Sequence, residues 1–124
     1  MECKIFAVKD IRDNSKIVER MFSLMKKHYE NMKKDKFLKD LYDKSNVFLL
    51  FENNEIKGFS TIKKMELSIE NGKNSEVKII GFFSGDTIIE KGFSWGIEFQ
   101  KEWIKYCLLE SKKIWKTISE LIGF

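Results

Sequence analysis

The feature that most constrains the fold is a change of hydrophobic period in the middle of the chain. Three apolar runs of strand character lie within residues 47–89, separated by the asparagine-containing turns Glu52–Glu55 and Asn71–Asn74. On either side of this region, apolar residues instead recur every three to four positions, which indicates amphipathic helices. Strands joined by tight turns pair antiparallel. The sequence therefore predicts an α+β protein with a three-stranded meander.

The meander strands differ in how deeply we expect them to be buried. Val47–Phe51 is continuously apolar, which is typical of a strand covered on both faces. Ile56–Leu67 is the returning strand, and Val77–Ile89 is the third. Asparagine tolerates the positive φ angles that tight turns require, so both connections favour hairpins.

The segment before the meander predicts one strand and two helices. Ile5–Val8 is a short apolar strand, and Asn14 or Ser15 can cap the helix that follows. That helix and a shorter one carry apolar stripes, which comprise Val18, Met21, Phe22, Met25, Tyr29 and Met32, and then Phe37, Leu38 and Leu41.

After the meander, the glycine-flanked loop Lys91–Gly96 opens another helical pattern, which runs through Gln100, Trp103 and Leu108. The tail Ile114–Ile118 continues this helical spacing but is also compatible with a short strand, and periodicity leaves the choice open. The predicted order is β-α-α-β-β-β-α, in a single domain over residues 1–124.

Composition excludes several classes of protein. The 23 basic and 19 acidic residues give a net charge of +4 and are interspersed, which argues against a nucleic-acid-binding face. Cys3 and Cys107 lie far apart without a CxxC motif, and His28 is the only histidine, so we expect reduced thiols and no metal site. There is no apolar leader and no run long enough to span a bilayer, so we expect a cytoplasmic protein that does not engage membranes.

The junction between the third meander strand and the last helix is the candidate anion site. Helix N-termini offer unpaired amides to phosphates, and Gly92 and Gly96 permit close approach of the backbone. Ser94 can donate a hydroxyl or cap the helix, and Lys91 can neutralise charge. The alternative, a capped turn without a ligand, stays open.

Three further stretches are informative together with the element order. They are Asn46–Phe51 with Glu55–Phe59, then Ser84–Ile89 (SGDTII), then Trp95-Gly96 leading to Gln100 and Trp103. Taken together, the element order and these stretches resemble the GNAT superfamily of N-acetyltransferases. This resemblance implies a mixed, largely antiparallel sheet flanked by helices, and it predicts that the C-terminal part of the fold is missing or truncated.

The resemblance implies acetyl transfer from acetyl-CoA to an amine of a small molecule or peptide, by direct attack. It implies that Asp86, or else Glu90, removes the amine proton, and Asp86 has the alternative role of capping the strand end. The fourth-strand backbone would hold the pantetheine arm and the following loop would face the diphosphate, through Thr87, Ile88, Ile89, Lys91, Gly92, Phe93, Ser94, Trp95 and Gly96.

A second interpretation is a non-catalytic GNAT-like module. The loop lacks the family's initial Arg or Gln, its glycine spacing differs, and the chain ends soon after the third family helix. An unfinished sheet has an edge that can pair with another chain. This interpretation predicts a homodimer, or a protein partner, joined through that sheet.

Overall fold

The computed structural model describes the backbone of residues 2–71, 75–93 and 96–122, and the side chains of 2–66, 81–93, 100–113 and 116. The chain divides into two compact units, Met1–Ser94 and Trp95–Phe124. The first contains the sheet and its helices, and the second contains a single helix. The predicted single domain over residues 1–124 stays a prediction.

The predicted α+β order is confirmed, with one additional single-turn helix. The elements are β1 (Glu2–Ala7), α1 (Val8–Ile11), α2 (Ser15–His28), α3 (Lys34–Tyr42), β2 (Asn46–Glu52), β3 (Glu55–Asn71), β4 (Ser75–Ile89) and α4 (Gly96–Ile122). The described strands lie in the order β1-β2-β3-β4, and every neighbouring pair is antiparallel. The sheet, expected to be mixed and largely antiparallel, is thus antiparallel throughout its described strands.

Local chemistry sets the start of α2 and the first hairpin turn. Asn14 Oδ1 accepts a hydrogen bond from the Ile17 amide at 3.2 Å, which caps the helix. At the hairpin, Asn53 and Asn54 have φ angles of 52° and 64°. Positive φ at both central residues defines a type I′ turn, whose twist matches the flanking strands. The second predicted turn falls on residues 72–74, outside the described residues.

The core of the first unit lies between α2, α3 and one face of the sheet. Phe37 of α3 packs between Phe22 of α2 and Phe59 of β3, at ring-centroid distances of 5.5 and 6.5 Å. Burying aromatic rings removes a large apolar area from water. The cluster also contains Val8, Ile11, Val18, Met21, Leu24, Met25, Leu41, Val47, Leu49, Ile56 and Ile88.

The hairpin of β3 and β4 extends past the rest of the sheet. The pairing of β2 with β3 ends at Asn46 and Ile62, whereas β3 and β4 remain paired out to Asn71 and Ser75. Beyond Ile62, β3 and β4 are therefore paired only with each other among the described strands. We call this extension, residues 63–71 with 75–83, the β-arm.

The second unit settles the open question about the tail. Residues 114–118 lie within α4, which is continuous from Gly96 to Ile122. They are therefore helical and do not supply a fifth strand. Across the described part of the chain, no helix combines the length and hydrophobicity needed to cross a bilayer.

Candidate functional site

A β-bulge interrupts the pairing of β3 with β4 shortly before β4 ends at Ile89. Ser60 pairs with Thr87 and Ile62 pairs with Ser84, so two β4 residues, Gly85 and Asp86, stand opposite Thr61 alone. An extra residue of this kind bends its strand and redirects a side chain, and such bulges are over-represented beside active sites.

Gly85 is required there because the β4 backbone passes very close to its neighbours. A Cβ added at this position would overlap Thr61 Oγ1 and come within 2.7 Å of Lys44 Cε. By contrast, a Cβ at Gly81, on the same strand, would meet nothing within 4 Å. The glycine therefore allows the bulged strand to lie directly over Thr61 and Lys44.

Beside the bulge lies a small cavity of about 10 Å³. We call it the bulge cavity. Its polar lining consists of Asp40, Lys44, Thr61 and Asp86, which come from α3, the loop after it, β3 and β4. Its apolar lining consists of Met25, Met32, Phe37, Leu41 and Phe59.

Thr61 contributes a hydroxyl that the described structure does not satisfy. The residue is 4% exposed, and its Oγ1 has no hydrogen-bond partner within the described residues. Its neighbour Ser60, which faces the other side of the sheet, forms a 2.8 Å hydrogen bond with the Thr87 hydroxyl. A buried hydroxyl without a partner costs free energy, so this one marks a place where a ligand group would gain a contact.

Asp86 lies at the same cavity with its side chain exposed to solvent. Its carboxylate makes no hydrogen bond or ion pair within the described residues. The bulge therefore presents an accessible carboxylate next to a buried, unpartnered hydroxyl.

Glu90, the other predicted catalytic carboxylate, lies in a different environment. Its oxygens lie 3.2 Å from Lys27 Nζ, 3.3 Å from Lys57 Nζ and 3.4 Å from Arg20 Nη2. The hydrogen bond from Lys27, followed by the one from Lys57, lowers its pKa to about 2. Since a carboxylate with such a pKa accepts protons poorly at neutral pH, Glu90 acts here as the anchor of an ion-pair cluster.

The same cluster ties together three elements of the first unit. Arg20 Nε also donates to the Ile56 carbonyl at 2.8 Å, and Lys57 Nζ donates to Glu55 Oε2 at 2.9 Å. The Glu55 hydrogen bond, followed by the one to Glu90, raises the pKa of Lys57. A cleft of about 800 Å³ adjoins these residues, and Lys16 adds a further cation to its wall.

The predicted diphosphate loop begins with a tight turn. The Phe93 amide donates to the Glu90 carbonyl at 3.1 Å, and Gly92 has a φ of 94°. Positive φ at the third residue is the reason that this turn needs glycine. The turn already uses the Phe93 amide, and Lys57 Nζ lies 5.3 Å from the centre of the Phe93 ring.

The other predicted cofactor residues are placed as follows. The Ile88 side chain is buried in the core, and the Thr87 hydroxyl is bonded to Ser60, so a ligand would meet these residues mainly through the main chain of β4. Lys91 is exposed, and Gly96 is the first residue of α4. Ser94 and Trp95 lie outside the described residues. No three His, Cys, Asp or Glu side chains within the described ranges are grouped as a metal site would require.

Sequence reasoning missed Thr61, Asp40 and the reason for Gly85. An isolated glycine in a strand pattern is a signal of a bulge or of close backbone approach, and Gly85 gave that signal. Nothing local distinguishes Thr61 from any other strand threonine, because its unsatisfied hydroxyl depends on which residues the register places opposite it.

The comparisons with known proteins bear on the fold. No protein-family model and no curated protein sequence matches the chain. One similar solved structure is the aminoglycoside N-acetyltransferase AAC(6')-Iy in complex with CoA, with a TM-score of 0.53 and 13% identity over 99% of this chain and 86% of that one. Another is a mutant of the BH1408 protein from Bacillus halodurans, with a TM-score of 0.45 and 14% identity over 86% of this chain and 74% of that one. The first likeness shows that the chain has a fold similar to that of an N-acetyltransferase.

Proposed function

We propose that this protein is an acetyl-CoA-dependent N-acetyltransferase that acts on an amine of a small molecule or peptide. The observation that carries the proposal is the bulge of the edge strand β4 at Gly85–Asp86, which sets an unpaired carboxylate beside the buried hydroxyl of Thr61 on β3. The similarity in fold to an N-acetyltransferase that was solved with CoA supports it.

The residues of β4 suit a pantetheine arm. Among the described strands, β4 lies at the edge of the sheet, and an edge strand offers backbone donors and acceptors to an extended, amide-containing chain. Lys91, exposed just after the strand, supplies a positive charge for a diphosphate. We therefore propose that the main chain at Thr87, Ile88 and Ile89 holds the arm, and that the turn beginning at Lys91 and Gly92 faces the diphosphate.

Acetyl-CoA, when bound, supplies a thioester whose carbonyl carbon is the electrophile. In the proposed reaction, the amine nitrogen would bond to that carbon as the carbon–sulfur bond breaks, and the sulfur would leave as the CoA thiolate, which takes up a proton from solvent. Asp86 takes the proton that the nitrogen loses, because its carboxylate is accessible and unpaired. Glu90 keeps the end of β4 in place, since three cations already hold its carboxylate.

The direct test is calorimetric titration of the full chain with acetyl-CoA, followed by a thiol-release assay with a panel of amines. We expect saturable binding and amine-dependent release of CoA. The matched pair of variants is Asp86→Asn and Glu90→Gln. The absence of both binding heat and a thermal shift at millimolar acetyl-CoA would contradict the proposal.

A second candidate function is a non-catalytic module that forms a homodimer through the β-arm. Isolated two-stranded ribbons are only marginally stable in water, and Met65 and Phe83 lie on one face of the arm at 45% and 54% exposure. A second copy that packs against this face of the arm would cover both side chains. Light scattering on the wild type and on Phe83→Lys tests this, and a strictly monomeric wild type would exclude it.

A further inference from the structure

We infer that one exposed face of α4 is a docking surface for a membrane whose lipids carry negative charge, and that the helix lies along this membrane without crossing it. The inference goes beyond the proposed function and does not rest on it. Three features of α4 carry it: the exposure of large aliphatic side chains, the charge around them, and the way in which the two kinds of side chain are arranged.

Burial divides the described part of α4 into two faces. Tyr106 is 9% exposed, and Trp103, Cys107 and Glu110 are half-buried. These four residues recur at the spacing of a single helical stripe, which is therefore the sheltered face. The opposite side of the helix is exposed. We call it the outward face, and it consists of Lys101, Ile104, Lys105, Leu108, Leu109 and Lys112.

The outward face exposes three large aliphatic side chains. Ile104, Leu108 and Leu109 are 57%, 58% and 50% exposed. A single exposed leucine is ordinary on a protein surface, but three such residues within two turns of one helix form an apolar patch. Covering this patch would remove apolar area from water and so favour association.

The charge around the patch is positive. Among the described side chains of α4, the two carboxylates, Glu102 and Glu110, are half-buried and none is exposed. The lysines extend over about 22 Å of the helix. Such a face repels a second copy of itself and attracts a negatively charged surface. The exposed cations in the same range are Lys101, Lys105, Lys112, Lys113 and Lys116.

Apolar and basic side chains are interleaved around the outward face. At about 100° per residue, Leu108 lies about 40° and Leu109 about 140° around the helix from Ile104, and the three lysines of this face fall between the two leucines. A groove in a protein partner is matched by an unbroken apolar stripe, which this arrangement lacks. Binding to a nucleic acid depends on the cations and gains little from aliphatic side chains.

An anionic bilayer suits both kinds of side chain at once. Aliphatic groups enter the boundary between head groups and acyl chains, while lysine stems lie along apolar surface and their ammonium groups reach the phosphates. The sequence expectation of no membrane contact rested on the lack of a leader and of a spanning run. Neither bears on a helix that lies along the surface, so the binding we infer is peripheral and dependent on salt.

The test is co-sedimentation of the full chain with vesicles of phosphatidylcholine that contain about 30% phosphatidylserine, beside vesicles of phosphatidylcholine alone. We expect saturable binding to the anionic vesicles, little binding to the neutral ones, and release as the ionic strength rises, because salt screens the lysines. Binding to neither kind of vesicle, or equal binding to both, would overturn the inference.

A matched pair of double variants separates the outward face from the net charge of the protein. Lys105→Gln with Lys112→Gln removes two charges from that face, and Lys36→Gln with Lys39→Gln removes two exposed charges from α3. We expect the α4 variant to bind anionic vesicles about 25-fold more weakly, at about fivefold for each lysine near the surface, and the α3 variant to lose much less. Equal losses would show that net charge alone drives binding.

A third double variant, Ile104→Gln with Leu108→Gln, removes aliphatic groups and keeps the charge. Both side chains are exposed and glutamine is a good helix former, so the melting temperature should stay close to that of the wild type. We expect binding to anionic vesicles to fall about tenfold. Unchanged binding would overturn the inference, and the single variant Leu108→Gln repeats the test if the double variant is unstable.

Other occupants of the outward face give different results. Polyglutamate and short duplex DNA, added in place of vesicles, present negative charge without an apolar layer. Binding of either one that equals or exceeds binding to the anionic vesicles, and that is unaffected by Ile104→Gln with Leu108→Gln, would assign the face to an acidic macromolecule and overturn the inference. No vesicle experiment contains acetyl-CoA, so its outcome is separate from that of the proposed enzymatic function.

Discussion

Two carboxylates near the end of β4, one in the strand and the other directly after it, have opposite surroundings. Glu90 lies where the chain leaves β4, is 22% exposed and is held by Arg20, Lys27 and Lys57. Asp86 lies at the bulge, exposed and without a partner among the described residues. Both were candidates for the same chemical role, and only Glu90 is held by cations in the described structure.

This difference indicates that the register of the strand, more than the residue type, determines which partners each carboxylate has. After the bulge, β4 pairs regularly with β3 up to its last residue, and the Glu90 amide donates to the Lys57 carbonyl at 2.7 Å. At the bulge one extra residue takes Asp86 out of the regular pairing. Two carboxylates four residues apart can therefore differ fully in their partners, one being held by three cations and the other unpaired among the described residues.

The largest expected effect is on the proposed activity. Asp86→Asn should lower the rate of acetyl transfer by about 10²–10⁴-fold, the usual contribution of a general base. Its melting temperature should stay close to that of the wild type, since the carboxylate makes no hydrogen bond or ion pair among the described residues. A thiol-release assay with a parallel melting curve checks both. An Asp86→Asn variant that retains full activity would show that Asp86 is not the general base.

The next largest effect is on stability at the bulge. Gly85→Ala should destabilise the protein by about 1–3 kcal/mol, because the added methyl group overlaps Thr61 and crowds Lys44. Gly81→Ala is the matched control on the same strand, and its Cβ meets nothing within 4 Å. Urea denaturation of both variants measures the difference. If the two variants were equally stable, the neighbours of position 85 would have to move away from the added methyl group without lowering the free energy of unfolding.

A smaller effect on stability is expected at Gly92, in the turn that follows β4. Gly92→Ala should cost about 1 kcal/mol, because residues other than glycine are strained at positive φ. Here the cause is backbone conformation alone, since the new Cβ would have open space around it. Gly92→Asn, which tolerates this region better, should recover part of the loss in the same urea experiment.

The smallest effect concerns the pH dependence of stability. The pKa of Glu90 is lowered from 4.5 to about 2 in the folded protein, so its contribution is complete above pH 4.5 and is lost as the pH falls towards 2. Glu90→Gln should therefore flatten the acid limb of the stability curve between these values. Lys27→Met, which removes the largest cause of the shift, should flatten only part of it.

The fold was predictable from the sequence where local chemistry decides. The Asn53-Asn54 turn and the Asn14 cap follow from the side chains at those positions, and both were found in place. The meander followed from the change of hydrophobic period. Met32 was assigned to the first long helix, whereas α2 ends at His28, although the residue still packs against the core.

The candidate site was predictable only in part, because its character depends on distant residues. Asp86 and Glu90 were both found, but Glu90 is held by Arg20 and Lys27, which lie 70 and 63 positions earlier in the chain. Likewise, the unsatisfied Thr61 hydroxyl depends on a register shift that no local pattern encodes. Hydrophobic periodicity also could not decide between a helix and a strand for residues 114–118. In the structure, α4 continues through them.

Gly85 has a consequence for how the sequence at the bulge can vary. Since a Cβ at that position would overlap Thr61 Oγ1 and crowd Lys44 Cε, a side chain there requires a compensating change at one of those two positions. A smaller residue at position 61 or a shorter one at position 44 would have to accompany it. We therefore expect the three positions to vary together and not one at a time.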